Sequence, residues 1–286
     1  MKIKKVLVCG ATGYLGRYVI KELHKQGYQV RALVRKSTKI EDLREFIDEV
    51  YEAEVTKPET LNGICDGIDV VISSIGITRQ KDGLTYMDVD YQGNKNLLEE
   101  AKKEGISKFI YISVFNADKM KNVKGIQAKV KFEEELKKSG LGYSIVSPNG
   151  FFSDMLDYLQ MAKKGRGYVF GSGEFRINPI HGEDLAEVCV NAVNGVEKEI
   201  NVGGPDIITH NEIVAIAFES LNKKIKISRI PIWLRNFILA TLRFFTSVKA
   251  YGPIEFFMTV LTMEMVAPAY GKHHLKDFFL ENIGKI

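Results

Sequence analysis

A loop of seven residues, Gly10-Ala11-Thr12-Gly13-Tyr14-Leu15-Gly16, joins an apolar run, Val6-Leu7-Val8-Cys9, to an amphipathic stretch over 17–26. Glycine at the first position permits a tight turn, and glycine at the fourth lets the backbone approach a pyrophosphate. Glycine at the seventh lets the helix pack closely on the strand behind it. Phosphates then rest on the helix N-terminus, where unpaired backbone N–H groups favour negative charge. A glycine pattern alone is weak, but a strand before it, a helix after it and a second strand at Gln29–Val34 supply the context a dinucleotide site requires. Gly10, Thr12, Gly13, Tyr14, Leu15 and Gly16 are therefore the expected cofactor loop.

The end of the second strand approaches the adenosine ribose, where an acid would bind the 2′-hydroxyl of NAD. Here it reads Ala32-Leu33-Val34-Arg35-Lys36-Ser37, without an acid. Arg35 can form a charge-assisted fork with a 2′-phosphate, assisted by Lys36 or Ser37, which favours NADP(H). The alternative is a merely solvated Arg35.

Further apolar runs at 49–54, 69–74, 108–113 and 143–146 alternate with charged stretches of helical length. That alternation predicts an α/β fold, a doubly wound parallel Rossmann sheet with a smaller, mainly helical C-terminal substrate lobe. The expected division is 1–150 for the NADP-binding domain, with a returning segment near 177–203, and 151–286 for the lobe. In the helix expected over 127–138, Glu133 with Lys137 and Glu134 with Lys138 have the i,i+4 order of a solvated face. Thr209 and Glu212 form a capping box before a helix over 213–221.

A net charge of +4, with basic residues dispersed among acids, gives no ground for a nucleic-acid partner. Cys9, Cys65 and Cys189 are far apart, so a reduced, cytoplasmic protein is expected, and no metal-ligand spacing is present. His273 and His274 read as surface histidines without carboxylate partners, whereas His181, three residues before Asp184 at a helix start, is the histidine of most interest. The apolar stretch 230–268 is interrupted by charges and by Pro253, too often to span a bilayer. Within it, Trp233, Phe237, Thr241 and Phe245 share one helical face. Core or pocket lining is the expectation for this stripe, with peripheral membrane contact through 230–266, or partner contact, as the alternative.

Taken together, the loop, the strand end Val30-Arg31-Ala32-Leu33-Val34-Arg35-Lys36 and the segments 69–74, 90–94 and 178–186 resemble the atypical short-chain dehydrogenase/reductases of the NmrA-like kind. Residues 127–133, 143–148, 270–272 and 275–279 are similar to a subgroup containing divinyl chlorophyllide 8-vinyl reductase and uncharacterised relatives. The resemblance implies that Lys129 holds the nicotinamide ribose, and that Ser74, Pro148 and Phe151 also contact the cofactor. It implies for Ser113 either a catalytic role, polarising a substrate oxygen, or a strand-end turn cap. Gly125 stands where that family carries its catalytic tyrosine. Two readings follow: an NADP(H)-dependent oxidoreductase acting on a bulky apolar substrate, or a non-catalytic NADP(H)-binding sensor or assembly protein.

Overall fold

The structure is a computed structural model that describes residues 4–77 and 83–286. The chain runs β1 (Lys5–Cys9), α1 (Tyr14–Lys25), β2 (Gln29–Val34), β3 (Glu49–Glu52), β4 (Val70–Ser73), α2 (Asn94–Lys103), β5 (Lys108–Ile112), α3 (Lys124–Lys138) and β6 (Gly142–Pro148). It continues through α4 (Phe152–Lys163), β7 (Gly167–Phe170), β8 (Arg176–Ile177), α5 (Gly182–Asn191), β9 (Glu199–Val202), β10 (Ile208–Thr209), α6 (His210–Ser220), β11 (Ile227–Ile230), α7 (Ile232–Phe245), α8 (Val248–Val260) and α9 (Leu275–Asn282).

Seven strands form a parallel sheet in the order β3-β2-β1-β4-β5-β6-β9. Because strand side chains alternate, β1 sends Val6 and Val8 into one buried layer and Leu7 and Cys9 into the other. The first layer is closed by α1 and α5 through Ile20, Leu23, Leu185 and Val190. The second is closed by α2 and α3 through Leu97, Phe132 and Leu136. Sheets covered on both faces need such continuously apolar strands, as the sequence predicts. A third apolar cluster joins α4, α6 and α9 through Phe152, Leu159, Phe218 and Phe279. The strand order reverses between β1 and β4, and the glycine loop, which follows β1, lies at that point on the carboxyl ends of the strands, where open α/β sheets bind ligands.

Most element boundaries shift by one to three residues from expectation, and two of the shifts bear on the loop and its neighbouring strand. The helix after the glycine loop begins at Tyr14, three residues before the amphipathic run, because Gly13 itself is the N-cap in extended conformation. Strand β4 starts at Val70 rather than 69, since the Asp69 carboxylate turns aside to accept the Lys5 N–H at 2.8 Å.

Three side-chain expectations are overturned. Glu133 does not join a solvated face; it turns inward to accept the Ser113 hydroxyl, while Lys137 pairs with Glu199 at 2.6 Å. His273 and His274 do have carboxylate partners, Asp184 at 2.8 Å and Asp206 at 2.9 Å, both remote in sequence. The stripe of α7 faces outward: Trp233 is 69% exposed, Phe237 64% and Phe245 75%, because α7 packs on α8 through its other side and buries only Leu239. Among the described residues no helix is long and apolar enough to cross a membrane.

Candidate active site

The glycine loop is built as a turn followed at once by a helix. Gly10 has φ +90°, a left-handed conformation that disfavours a side chain, and its carbonyl accepts the Gly13 N–H at 2.9 Å to close the turn. Gly13 has an ordinary φ of −77°, so what it supplies is space rather than backbone freedom. A Cβ on Gly16 would lie 2.1 Å from the Gly10 carbonyl oxygen, so this glycine sets the distance between α1 and β1. These three glycines thus do three separate physical tasks.

Beside the loop opens a cleft of about 460 Å³. Gly10, Thr12, Gly13, Arg35 and Ser74 of the expected residues line it, with Lys39, Glu54, Val55, Gly76 and Leu84 among those not foreseen. Lys36 is exposed at the start of the following 3-10 turn, next to but outside the lining. The Ser37 backbone N–H is engaged by Glu52 at 2.7 Å. The far wall, the segment after β4, is fixed by the buried Asn94 amide. Its oxygen accepts the Ser73 hydroxyl at 2.6 Å, and its nitrogen donates to the carbonyls of Ile75 at 3.3 Å and Asp90 at 2.8 Å.

Other expected residues serve the surroundings. Leu15 is buried in the core. The Tyr14 hydroxyl accepts the Gly182 N–H at 3.0 Å, and its ring lies 5.9 Å from that of Phe151, the N-cap of α4. Together Tyr14 and Phe151 join the loop to α4 and α5. Pro148 is buried at the end of β6, its carbonyl accepting the Phe115 N–H at 2.9 Å. Ser113 is buried as well, and its hydroxyl donates to Glu133.

Lys129 lies on the α3 face toward the cleft. Its ammonium is 3.3 Å from the Asp90 carboxylate and 3.5 Å from the Tyr111 hydroxyl, both of these partners being buried. A Cβ on Gly76, in the cleft wall, would stand 3.1 Å from the Lys129 Nζ, so this glycine leaves the ammonium room to reach the cleft edge. Burial opposes the charge on Lys129, but Tyr111 and Asp90 outweigh it and hold the ammonium protonated. The same burial pushes the Asp90 carboxyl up, against the pull of Lys129. Sequence reasoning passed over Asp90 and Tyr111; the only signal was Asp90 in the quoted 90–94 segment.

Gly125, one turn before Lys129, has the Tyr86 ring against it: a Cβ there would lie 3.3 Å from the ring, and one on Gly252 of α8 would lie 2.8 Å away. Tyr86 thus fills the volume a tyrosine at 125 would start into. Burial, then Asp90 and Glu255, push its phenol up to about 12.

The histidines lie elsewhere. His181 caps α5, its Nδ1 accepting the Glu183 N–H at 3.3 Å, and its ring lies 4.3 Å from that of His273, tilted by 34°. His181, Glu183 and His273 bring donor atoms within 4.8 Å of one another, but His181 Nδ1 is committed to the cap and His273 Nδ1 to Asp184. The Asp184 carboxylate, which also accepts the Lys272 and His273 N–H groups, ties that segment to α5. The three cysteines are free and buried, and burial raises each thiol well above the usual range or to about 12, so none is a nucleophile.

Comparison with known proteins bears on this geometry. The model of a family described as NAD(P)H-binding matches residues 10–195. The chain is 31% identical to the chloroplastic divinyl chlorophyllide a 8-vinyl-reductase of Arabidopsis thaliana over 97% of its own length and 76% of that protein. It is 30% identical to the photosystem II assembly factor Ycf39 of Synechocystis sp. over 84% of its length and 75% of that protein. Among solved structures, the NADPH-dependent quinone oxidoreductase QOR2 of Escherichia coli, complexed with NADPH, superposes with a TM-score of 0.71 at 17% identity, covering 98% of this chain and 99% of that one. At that identity the likeness is one of fold.

Proposed function

Because the chain belongs to the NAD(P)H-binding family of atypical short-chain dehydrogenase/reductases, we propose that it is an NADP(H)-dependent reductase acting on a bulky apolar substrate. The observation that carries the proposal is the placement of Lys129 at the edge of the glycine-loop cleft, held by the buried Asp90. An ammonium fixed in this way can hold ribose hydroxyls, and orientation of that kind is what hydride transfer needs. A reduced nicotinamide, when bound, supplies the hydride. Arg35 and Lys39 in the lining of the cleft offer a 2′-phosphate two cations, and the last residues of β2 carry no carboxylate to bind a 2′-hydroxyl instead. The cleft fits the cofactor because Gly13 leaves its backbone bare along the lining.

A bulky apolar substrate is supported by the lobe that follows α4, where α8 reaches Tyr86 beside Gly125 and α7 packs on α8. The relatives named as vinyl reductases act on such a compound, in keeping with this choice. In the proposed reaction the substrate carbon that accepts hydride lies past Lys129, and water or a substrate group supplies the proton, since Gly125 brings no hydroxyl.

Gly125 favours a second reading as well: a protein that keeps the nucleotide and has no acid, a reading to which the relative named as an assembly factor lends support. NADPH oxidation across quinones, enones, aldehydes and tetrapyrroles separates the two. The reductase reading predicts turnover with at least one class and a loss of kcat in Lys129→Ala. Tight NADPH binding with no oxidation by any of them, and a Lys129→Ala variant impaired only in binding, decides for the non-catalytic reading.

A further inference from the structure

From the outward face of α7 we infer that the C-terminal lobe docks on an anionic lipid bilayer. The helix is amphipathic in the inverse sense for a surface helix. Trp233 (69% exposed), Phe237 (64%) and Phe244 (82%) point to solvent, and Leu239 on the opposite side is its buried residue. At 3.6 residues per turn those three aromatics fall within about 40° of one another around the helix. Phe245, 75% exposed, packs edge-on against Phe244 at 4.9 Å and widens the patch. Scattered apolar residues on a surface need no explanation, but four large aromatics on one short helix form a contiguous patch of the kind that marks an interaction site.

Charge identifies the occupant. Between residues 220 and 254 the sequence has seven Lys or Arg and no Asp or Glu. Lys223, Lys224, Lys226 and Arg229 are exposed on the turn and strand that lead through Pro231 into α7, and Lys249 is exposed just beyond it. Arg166 joins this side, bonding across from the β7 end to Ser228 at 3.2 Å. A protein partner recognised by aromatic contact alone would not require an acid-free stretch of this length. A bilayer with anionic headgroups requires both features, since aromatic rings settle at the interface and each nearby cation adds electrostatic attraction. A second copy of this chain would oppose its own cations across the contact.

The docking goes beyond the reductase reading and does not depend on it. It also places α8, which touches Tyr86 beside the cleft, next to the source of an apolar ligand.

Trp233 is the only tryptophan in the chain, so its emission reports on the patch directly. The probe is a set of unilamellar vesicles, one of phosphatidylcholine alone and one containing about one-third phosphatidylglycerol. The full-length protein is expected to co-sediment with the anionic vesicles, with Trp233 emission shifted to the blue and shielded from an aqueous quencher. Raising NaCl to about 0.5 M should release most of it. Phe244→Ser/Phe245→Ser should lower partitioning at least about tenfold while leaving NADPH affinity unchanged, because neither residue lines the cleft. Failure to bind anionic vesicles in a protein that still binds NADPH overturns the inference, and so does equal binding to neutral vesicles. Blue-shifted emission without lipid, together with a dimer mass by sedimentation equilibrium, overturns it in favour of a second copy.

Discussion

Replacing Gly13 and Gly16 one at a time by alanine should separate binding from stability, although the two residues are three apart in one loop. At Gly16 the new Cβ meets the Gly10 carbonyl oxygen at 2.1 Å and its carbon at 2.8 Å. Both are backbone atoms of a turn closed by its own hydrogen bond, so they cannot swing aside, and α1 must retreat from β1 by roughly 1 Å, given ordinary contact distances. That retreat loosens Leu15, Val19 and Ile20 against the strand layer. Overpacking of this kind costs about 1–3 kcal/mol, and alanine's better helix propensity returns less than about 1 kcal/mol in a first turn. A net loss of about 2 kcal/mol is expected. At Gly13 the new Cβ meets only the Gly10 oxygen, at 3.2 Å, with φ already negative, so the fold should change by less than about 0.5 kcal/mol. The methyl nevertheless occupies the lining where a pyrophosphate must lie against the backbone, and NADPH should bind more than about tenfold more weakly. Urea unfolding monitored by far-ultraviolet circular dichroism, with NADPH titration of each variant, measures both. A Gly16→Ala protein as stable as the parent, or a Gly13→Ala protein that binds NADPH normally, refutes the division of tasks assigned to the loop.

Gly125→Tyr has to displace the Tyr86 ring and should lower stability by about 1–3 kcal/mol; the cycle with Tyr86→Ala should recover part of that loss, and additive effects would show that the two sites do not share the space. Asp90→Asn keeps an acceptor for the Ile77 N–H, 3.1 Å away, but withdraws the charge beside Lys129; with a buried pair broken, stability should fall by up to about 3 kcal/mol and NADPH affinity should fall with it, as calorimetry can read. His210 is buried with its Nδ1 2.8 Å from the Tyr158 hydroxyl and its Nε2 without a hydrogen-bond partner among the described residues, and burial lowers it from 6.5 to about 4. The unfolded chain therefore takes up the proton first, so its contribution is complete above pH 6.5 and is lost as pH falls toward 4, by about 3 kcal/mol in all. His210→Gln should flatten that part of the urea-midpoint profile, and an unchanged slope would contradict the assignment.

What the sequence made legible was local or periodic. The glycine loop lies between a strand and a helix, and its spacing carries the turn, the backbone approach and the close packing in one short segment. The buried strands could be read because both faces are covered and their apolar runs are continuous. Helical periodicity, by contrast, tells that Trp233 and Phe237 share a side but not which side meets solvent. That depends on where α8 packs. Asp90 and Lys129 meet across 39 positions, and Asp184 and His273 across 89, so their pairing exists only after the sheet and the C-terminal segment are assembled. The i,i+4 pairing of Glu133 with Lys137 lost to partners that tertiary structure brings nearer, Ser113 and Glu199.

Selection of NADP(H) by the cations that follow β2 is read from the dissociation constants for NADPH and NADH, measured by fluorescence titration on the parent and on Arg35→Ala. NADPH should bind at least about tenfold more tightly than NADH, about 1.4 kcal/mol, with most of that preference gone in the variant. Equal affinities in the parent protein would contradict it.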